Sequence, residues 1–148
     1  MKKWIVKIFA VMAIAAILVG IHPDIDAYAK TKHTIMVSGD WQGNIYIEKD
    51  GKVFQTRDEN EIGMHARHYN AHSIGICYEG GLNEKGREAD TRTPAQRASL
   101  IALLRSLKID YPDAEIMGHC ELEGVHKACP SFSCAEYRDY FESNDMLA

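Results

Sequence analysis

The sequence predicts an α/β domain with a mostly buried sheet. Short apolar runs typical of buried strands alternate with helical patterns through the second half of the chain. The 148 residues are 46% hydrophobic and 26% charged, which is the composition of one globular domain. A formal net charge of -4 argues against an electrostatic nucleic-acid binder, so no nucleic-acid partner is expected.

A secretory signal peptide is predicted over residues 1–29. Two lysines near the start precede an apolar run at 8–21, and Ala27-Tyr28-Ala29 matches the small-residue cleavage pattern. The alternative is an uncleaved membrane anchor, although the run is shorter than the ~20 residues that span a bilayer. We therefore expect a mature domain at 30–148 that is secreted or periplasmic, or membrane-anchored in the alternative.

Three strand signals precede the middle of the chain. Thr34–Val37 is a short apolar run, and Asp50-Gly51 between β-favouring residues is a strong hairpin signal. Arg57–Tyr69 is polar and aperiodic, so it predicts an exposed loop. Ser73–Tyr78 is apolar and ends at two glycines, which predicts a central strand with Cys77 in a core position.

A helix is predicted directly after Thr93, which is a good N-cap, with Pro94 in the first helical position. Pro112 prevents its continuation. Residues 115–118 then predict a strand, and the Ser-x-x-Glu pattern at 133–136 predicts the start of a short terminal helix. Four leucines form one apolar stripe on the first helix: Leu100, Leu103, Leu104 and Leu107.

The chemically dense part of the sequence follows that last strand. His119 comes just after the strand end, and Cys129 stands just before a proline turn. An imidazole and a thiolate are both good zinc ligands, and catalytic zinc sites keep one position open for water. Lys127 is close enough in sequence to stabilise an oxyanion when an amide is attacked.

Other interpretations of these residues remain open. His119 is alternatively a hydrogen-bonded core histidine, with Cys129 in a disulfide to Cys134 or Cys120, since four cysteines in an exported chain allow three pairings. A closed structural zinc site is a further alternative. Its ligands would be Cys120, His126, Cys129 and Cys134.

The order of several motifs resembles N-acetylmuramoyl-L-alanine amidases of the phage lysozyme type, which are related to peptidoglycan-recognition proteins. The matching blocks cover most of residues 45–141. Several independent motifs in register are far more specific than one short pattern. They are Gly-Met-His-Ala-Arg-His-Tyr-Asn at 63–70, Ser-Ile-Gly-Ile-Cys at 73–77, Thr-Pro-Ala-Gln at 93–96, His119, and Lys-Ala-Cys-Pro-Ser-Phe at 127–132.

The resemblance implies a central mixed β-sheet flanked by helices, in a monomer that acts on peptidoglycan or muramoyl-peptide fragments. In this family, zinc held by two histidines and a cysteine hydrolyses the amide between muramic acid and L-alanine. By resemblance, His119 and Cys129 are zinc ligands and Lys127 is catalytic. His65 and Asn70 would line the peptidoglycan groove.

The sequence departs from the family pattern after the first strand. Ser38 occupies the position of the first zinc histidine, and Gly39-Asp40-Trp41 follows at once, so the family's first helix is missing. The position of the catalytic tyrosine falls on Gly43 or Asn44, while Tyr46 falls on an ordinary strand position. The third zinc ligand and the tyrosine are therefore absent from their expected places.

Two other residues are considered as the third ligand, namely His65 and Cys120, and neither has the expected spacing. His33 lies ~16 Å along the strand from position 38 and on the opposite face, so it cannot replace the missing ligand. The alternative for His65 is an exposed polar loop shared with His68 and His72, and we favour that loop for the latter two.

Three functional hypotheses follow. The first is an exported zinc amidase with a remodelled third ligand. The second is a non-catalytic peptidoglycan-binding module on the same fold, because the groove segment 65–70 is intact beside an incomplete metal site. The third is a truncated chain that folds poorly, since a lost element exposes apolar surface and a sheet edge.

Overall fold

A computed structural model of the protein describes residues 34–38 and 43–145. The predicted signal peptide, His33 and the segment Gly39-Asp40-Trp41 lie outside these described residues. Within the described part of the chain, no helix has the length and apolar character needed to cross a bilayer.

Five strands form one mixed sheet in the order β3-β2-β4-β1-β5. Neighbouring strands are parallel, except that β3 runs antiparallel to β2 across the predicted Asp50-Gly51 hairpin. Gly51 has a φ of 87°, a left-handed conformation that favours glycine. The strands are β1 (Thr34–Ser38), β2 (Ile45–Ile47), β3 (Val53–Gln55), β4 (Ser73–Tyr78) and β5 (Glu115–Gly118).

Two helices are found where the sequence predicts them, namely α1 (Pro94–Asp110) and α2 (Ala135–Asp145). The Thr93 hydroxyl accepts a hydrogen bond from the Gln96 backbone at 3.1 Å. The Gln96 side chain accepts one from the Thr93 backbone at 3.0 Å, which completes a capping box. The predicted alternation of strands and helices is therefore confirmed.

The two faces of the sheet carry different kinds of residue. One face forms the main core with both helices, because alternate strand residues such as Val37, Ile76 and Ile116 pack against Leu104 and Tyr137. The opposite face carries a smaller cluster formed by Met36, Ala66 and Leu122. We call this second face the groove face, since the loops that cover it also border the groove described below.

The connection between β1 and β2 is short. Residues 39–44 alone join Ser38 to Ile45, whereas an average helix in a globular protein needs ~10–14 residues. The chain therefore has no room at this point for the first helix that the family resemblance implied.

The loop that precedes α1 is attached to α2 by a buried arginine. The Arg92 side chain is 1% exposed and makes two 2.8 Å hydrogen bonds to the Asp90 carboxylate. It also binds Glu136, and its guanidinium lies 3.3 Å from the centre of the Phe132 ring. Because Arg97 contacts Asp90 as well, at 2.5 Å, the loop, both helices and Phe132 form one connected network.

Asp90→Asn is expected to lower the free energy of unfolding by about 2 kcal/mol at pH 7, because breaking a buried ion pair leaves the Arg92 charge poorly compensated. The hydrogen bonds from Arg92 hold the pKa of Asp90 below its usual range. This stabilisation is present above the unfolded pKa of about 3.9 and is lost as the pH falls below it. Urea unfolding at pH 7 and pH 3 measures both effects.

The matched control is Asp113→Asn, which removes an exposed carboxylate from the loop before β5. The control should leave unfolding at pH 7 within about 0.5 kcal/mol of the wild type. Equal losses of stability in the two variants would contradict the role assigned to the Arg92 network.

Candidate functional site

The site begins where β5 ends at the groove face. His119 follows Gly118 and opens a short 3-10 turn, His119–Glu121. The Glu121 carboxylate accepts a hydrogen bond from the Gly118 backbone at 2.7 Å and pairs with Arg138 of α2 at 2.8 Å. The imidazole therefore projects from a turn that is fixed to the C-terminal helix.

A second loop brings Cys129 to this imidazole. The Sγ of Cys129 lies 3.1 Å from Nδ1 of His119. The Cys129 carbonyl accepts a hydrogen bond from the Cys120 backbone at 2.8 Å, and the Tyr78 hydroxyl donates to the Pro130 carbonyl at 2.6 Å. Burial raises the pKa of Tyr78 to about 12, so its hydroxyl remains a donor throughout the neutral range.

A groove of about 480 Å³ opens beside His119. It is bordered by the loop that carries His65 and Asn70 and by the loop that carries Lys127. Four of the five predicted site residues thus line one cavity. Cys129 lines an adjoining cavity of about 380 Å³, which shares Lys127 with the groove.

Asn70 organises the groove loop. Its side-chain oxygen accepts hydrogen bonds from the backbone of His65 at 3.0 Å and of Ala66 at 2.7 Å. Because these two contacts fix the backbone of His65 and Ala66 at the groove wall, Asn70 shapes the loop as well as bordering the cavity.

His65 is mostly buried, with 4% of its surface exposed. Its ring packs against Gly75, where an added Cβ would lie 2.6 Å from Cγ of the ring and closer still to Cδ2. The Ser73 hydroxyl lies 3.4 Å from Nε2. The exposed-loop alternative is therefore wrong for His65, whereas His68 and His72 are exposed as we favoured.

The His119–Cys129 pair is suited to zinc by the chemistry and closeness of its two donors. Tetrahedral coordination with ordinary Zn–N and Zn–S bonds places such atoms ~3.5 Å apart, so the observed 3.1 Å requires a small adjustment. Catalytic zinc sites use three protein ligands. Among the described residues, no three His, Cys, Asp or Glu side chains are grouped so as to hold a metal ion.

The same finding applies to the closed structural zinc site considered from the sequence. Its four ligands are not assembled among the described residues. The sulfurs of Cys120 and Cys134 both lie 3.4 Å from the position of a Cβ on Gly118. Cys120 is therefore not grouped with His119 and Cys129 as a third donor among the described residues. His65 is held against Gly75 and does not complete it either.

Ser38 lies in the row of residues that contains His119. Val37 of β1 pairs with Gly118 of β5. The residues that follow them are Ser38 and His119, respectively. Ser38 also pairs with Cys77 on the other side. Since strand side chains alternate and Val37 belongs to the main core, Ser38 faces the groove face. A hydroxyl side chain is therefore the β1 neighbour of His119 in this row.

No tyrosine can replace Gly43 without movement of the backbone. A Cβ at this position would lie 2.7 Å from the Gly75 carbonyl oxygen. Asn44 is fully buried, donates to the Asp58 carbonyl at 2.9 Å and accepts from the Gly75 backbone at 3.0 Å, so it is structural. Tyr46 lies on β2, in the strand position that the sequence predicted.

The charged side chains around the groove are basic. Arg67 and Lys127 line it, and both are exposed. His68 and His126 contribute further exposed imidazoles. The described lining includes no carboxylate. A groove of this kind favours ligands that carry carboxylate groups.

Solved structures place this fold among amidases and peptidoglycan-recognition proteins. N-acetylmuramoyl-L-alanine amidase LysC from Clostridium intestinale matches 79% of this chain and 88% of its own, with a TM-score of 0.62 and 27% identity. Bumblebee PGRP-SA matches 64% of this chain and 74% of its own, with a TM-score of 0.54. Its 17% identity supports a shared fold alone.

The family profile described as N-acetylmuramoyl-L-alanine amidase, Amidase_2, matches residues 18–132. The chain belongs to this amidase family. It is 41% identical over 101 residues to the endolysin of Escherichia phage T7 and 38% identical over 101 residues to that of Klebsiella phage KP32. Both matches cover 68% of this chain and 64% of the endolysin.

Proposed function

We propose that this protein binds muramoyl-peptides of peptidoglycan in its groove and hydrolyses the muramoyl–L-alanine amide bond with the help of zinc. The observation that carries the proposal is the 3.1 Å contact between His119 and Cys129 beside Lys127. Membership of the amidase family and similarity to phage endolysins support the substrate class. Residues 1–29 would export the protein to the cell wall.

The residues of the chain would divide the work as follows. His119 and Cys129 would hold the zinc ion, which polarises a carbonyl and lowers the pKa of bound water when present. Lys127 would place its ammonium group near the amide oxygen, where negative charge develops during attack. The loop shaped by Asn70, with Arg67 on its exposed side, would orient the carboxylates of the stem peptide.

Lys127→Ala is expected to lower the rate of stem-peptide release about 100-fold while leaving bound zinc unchanged, because the lysine stabilises charge without coordinating the metal. The measurement is chromatography of peptides released from purified muramoyl-peptide, with zinc counted by mass spectrometry. The matched control is Lys85→Ala, which removes an exposed lysine that is distant in sequence from Lys127. An equal loss of activity in both variants, or zinc-free inactive wild-type protein, would count against the proposal.

A non-catalytic binding module is the second candidate. It is favoured by Ser38, which stands in the row of His119 where the family has a zinc histidine. Affinity for muramoyl-peptide that persists in a chelator, with no stem-peptide release at any zinc concentration, would select this candidate. Loss of binding to every wall fragment would exclude both candidates.

A further inference from the structure

Two of the three cysteines near His119 have their sulfurs beside Gly118. The Sγ atoms of Cys120 and Cys134 each lie 3.4 Å from the point that a Cβ on Gly118 would occupy. The two sulfurs are therefore no more than 6.8 Å apart, which is twice that distance. Cys129 directs its own sulfur to His119.

Cys120 and Cys134 lie at the core face of the sheet, to which Gly118 points. Gly118 shares the face of Ile116, since residues two apart in a strand point the same way. Ile116 packs in the main core together with Cys134. His119 is one residue beyond Gly118 and borders the groove. Pairing of Cys120 with Cys134 therefore leaves Cys129 available to the imidazole.

We propose that Cys120 and Cys134 form a disulfide when the protein meets a disulfide oxidant, such as oxidised glutathione. Both cysteines are free thiols in the structure, and Cys120 is exposed whereas Cys134 is fully buried. This inference concerns a covalent modification and does not depend on the proposed amidase activity. It differs from both pairings considered from the sequence, which joined Cys129 to Cys134 or to Cys120.

The exposure of the two thiols sets the order of the steps. Cys120 attacks the oxidant as a thiolate, forms a mixed disulfide and releases one thiol. Cys134 then attacks the Cys120 sulfur, forms the intramolecular bond and releases the second thiol. Each protein cysteine loses one proton and one electron, and the oxidant disulfide is reduced to two thiols. A disulfide bond of ~2.05 Å requires the two side chains to rotate until the sulfurs meet.

The bond would close a loop that contains two of the site residues. Lys127 and Cys129 both lie between Cys120 and Cys134 in the sequence. The crosslink would join the His119 turn to the start of α2, alongside the Glu121–Arg138 ion pair. It would thereby limit the motion of the loop that carries Cys129 relative to His119.

The test uses the protein after overnight incubation with oxidised and reduced glutathione, alkylated and digested with trypsin without reduction. Trypsin separates Cys120 in the fragment 109–127 from the two later cysteines in the fragment 128–138. We expect these fragments to be joined by one disulfide. Fragmentation spectra should place the bond on Cys134, while Cys77 and Cys129 carry the alkylating group.

Matched variants make the assignment independent of spectra. Cys129→Ser should keep the link between the two fragments, whereas Cys134→Ser and the exposed-site variant Cys120→Ser should lose it. Reduction should lower the melting temperature of the wild type by about 10 °C and leave Cys120→Ser unchanged. A link through Cys129, a link within fragment 128–138, or persistence of all four free thiols would overturn the proposal.

Discussion

His119→Ala is expected to weaken zinc binding more than ~100-fold, because removal of an outer-shell partner alone costs 10–100-fold and a direct ligand contributes more. The reason is the geometry of the pair. Nδ1 of His119 and Sγ of Cys129 are 3.1 Å apart, and no third donor group among the described residues could compensate for the loss. Competition with a fluorescent zinc chelator measures the dissociation constant directly.

The control for this variant is His72→Ala. His72 is exposed on the 3-10 turn Asn70–His72 and lies outside the groove lining. The control should bind zinc as the wild type does. If His119→Ala retained wild-type affinity, the assignment of His119 as a ligand would be wrong, whatever the activity of the protein.

The regular elements were predictable because their signals are local. The Thr93 cap, the leucine stripe and the Asp50-Gly51 hairpin each depend on a few neighbouring residues, and each is found where expected. The apolar runs likewise gave β1 and β4. The family resemblance predicted that His119 and Cys129 lie together, and the structure places them in contact.

The features that were missed depend on residues distant in sequence. Arg92 stands in a polar loop that predicts exposure, yet its partner Glu136 and the Phe132 ring bury it from the other end of the domain. His65 was assigned to the groove without any sign that the missing side chain of Gly75 makes room for its ring. Neither contact leaves a periodic pattern in the sequence.

The direction of Cys120 was also hidden from sequence analysis. Its neighbour His119 borders the groove, so sequence distance alone suggested a ligand. The register of β5 places Gly118 towards the core face. The sulfurs of Cys120 and Cys134 both lie beside the space that a side chain on Gly118 would occupy. Adjacent residues of the 3-10 turn His119–Glu121 therefore lie in different surroundings.

Ser38→His is expected to raise the zinc affinity about 100-fold, because it adds a third donor beside the existing pair. Adjacent strands lie ~4.8 Å apart, and the β1–β5 register places position 38 next to His119. Since Ser38 is fully buried, the melting temperature should be measured with the affinity to show that the variant folds. Stem-peptide release should rise with the metal affinity if the missing ligand limits catalysis.

The control for position 38 is Thr34→His on the same face of β1. Thr34 is four residues earlier, ~13 Å along the strand, so its imidazole cannot reach the His119–Cys129 pair. A gain in zinc affinity with Ser38→His but not with Thr34→His would show that the metal site lacks one donor at this row. Equal affinities in Ser38→His and the wild type would contradict that interpretation, because the coordination shell would then already be complete without position 38.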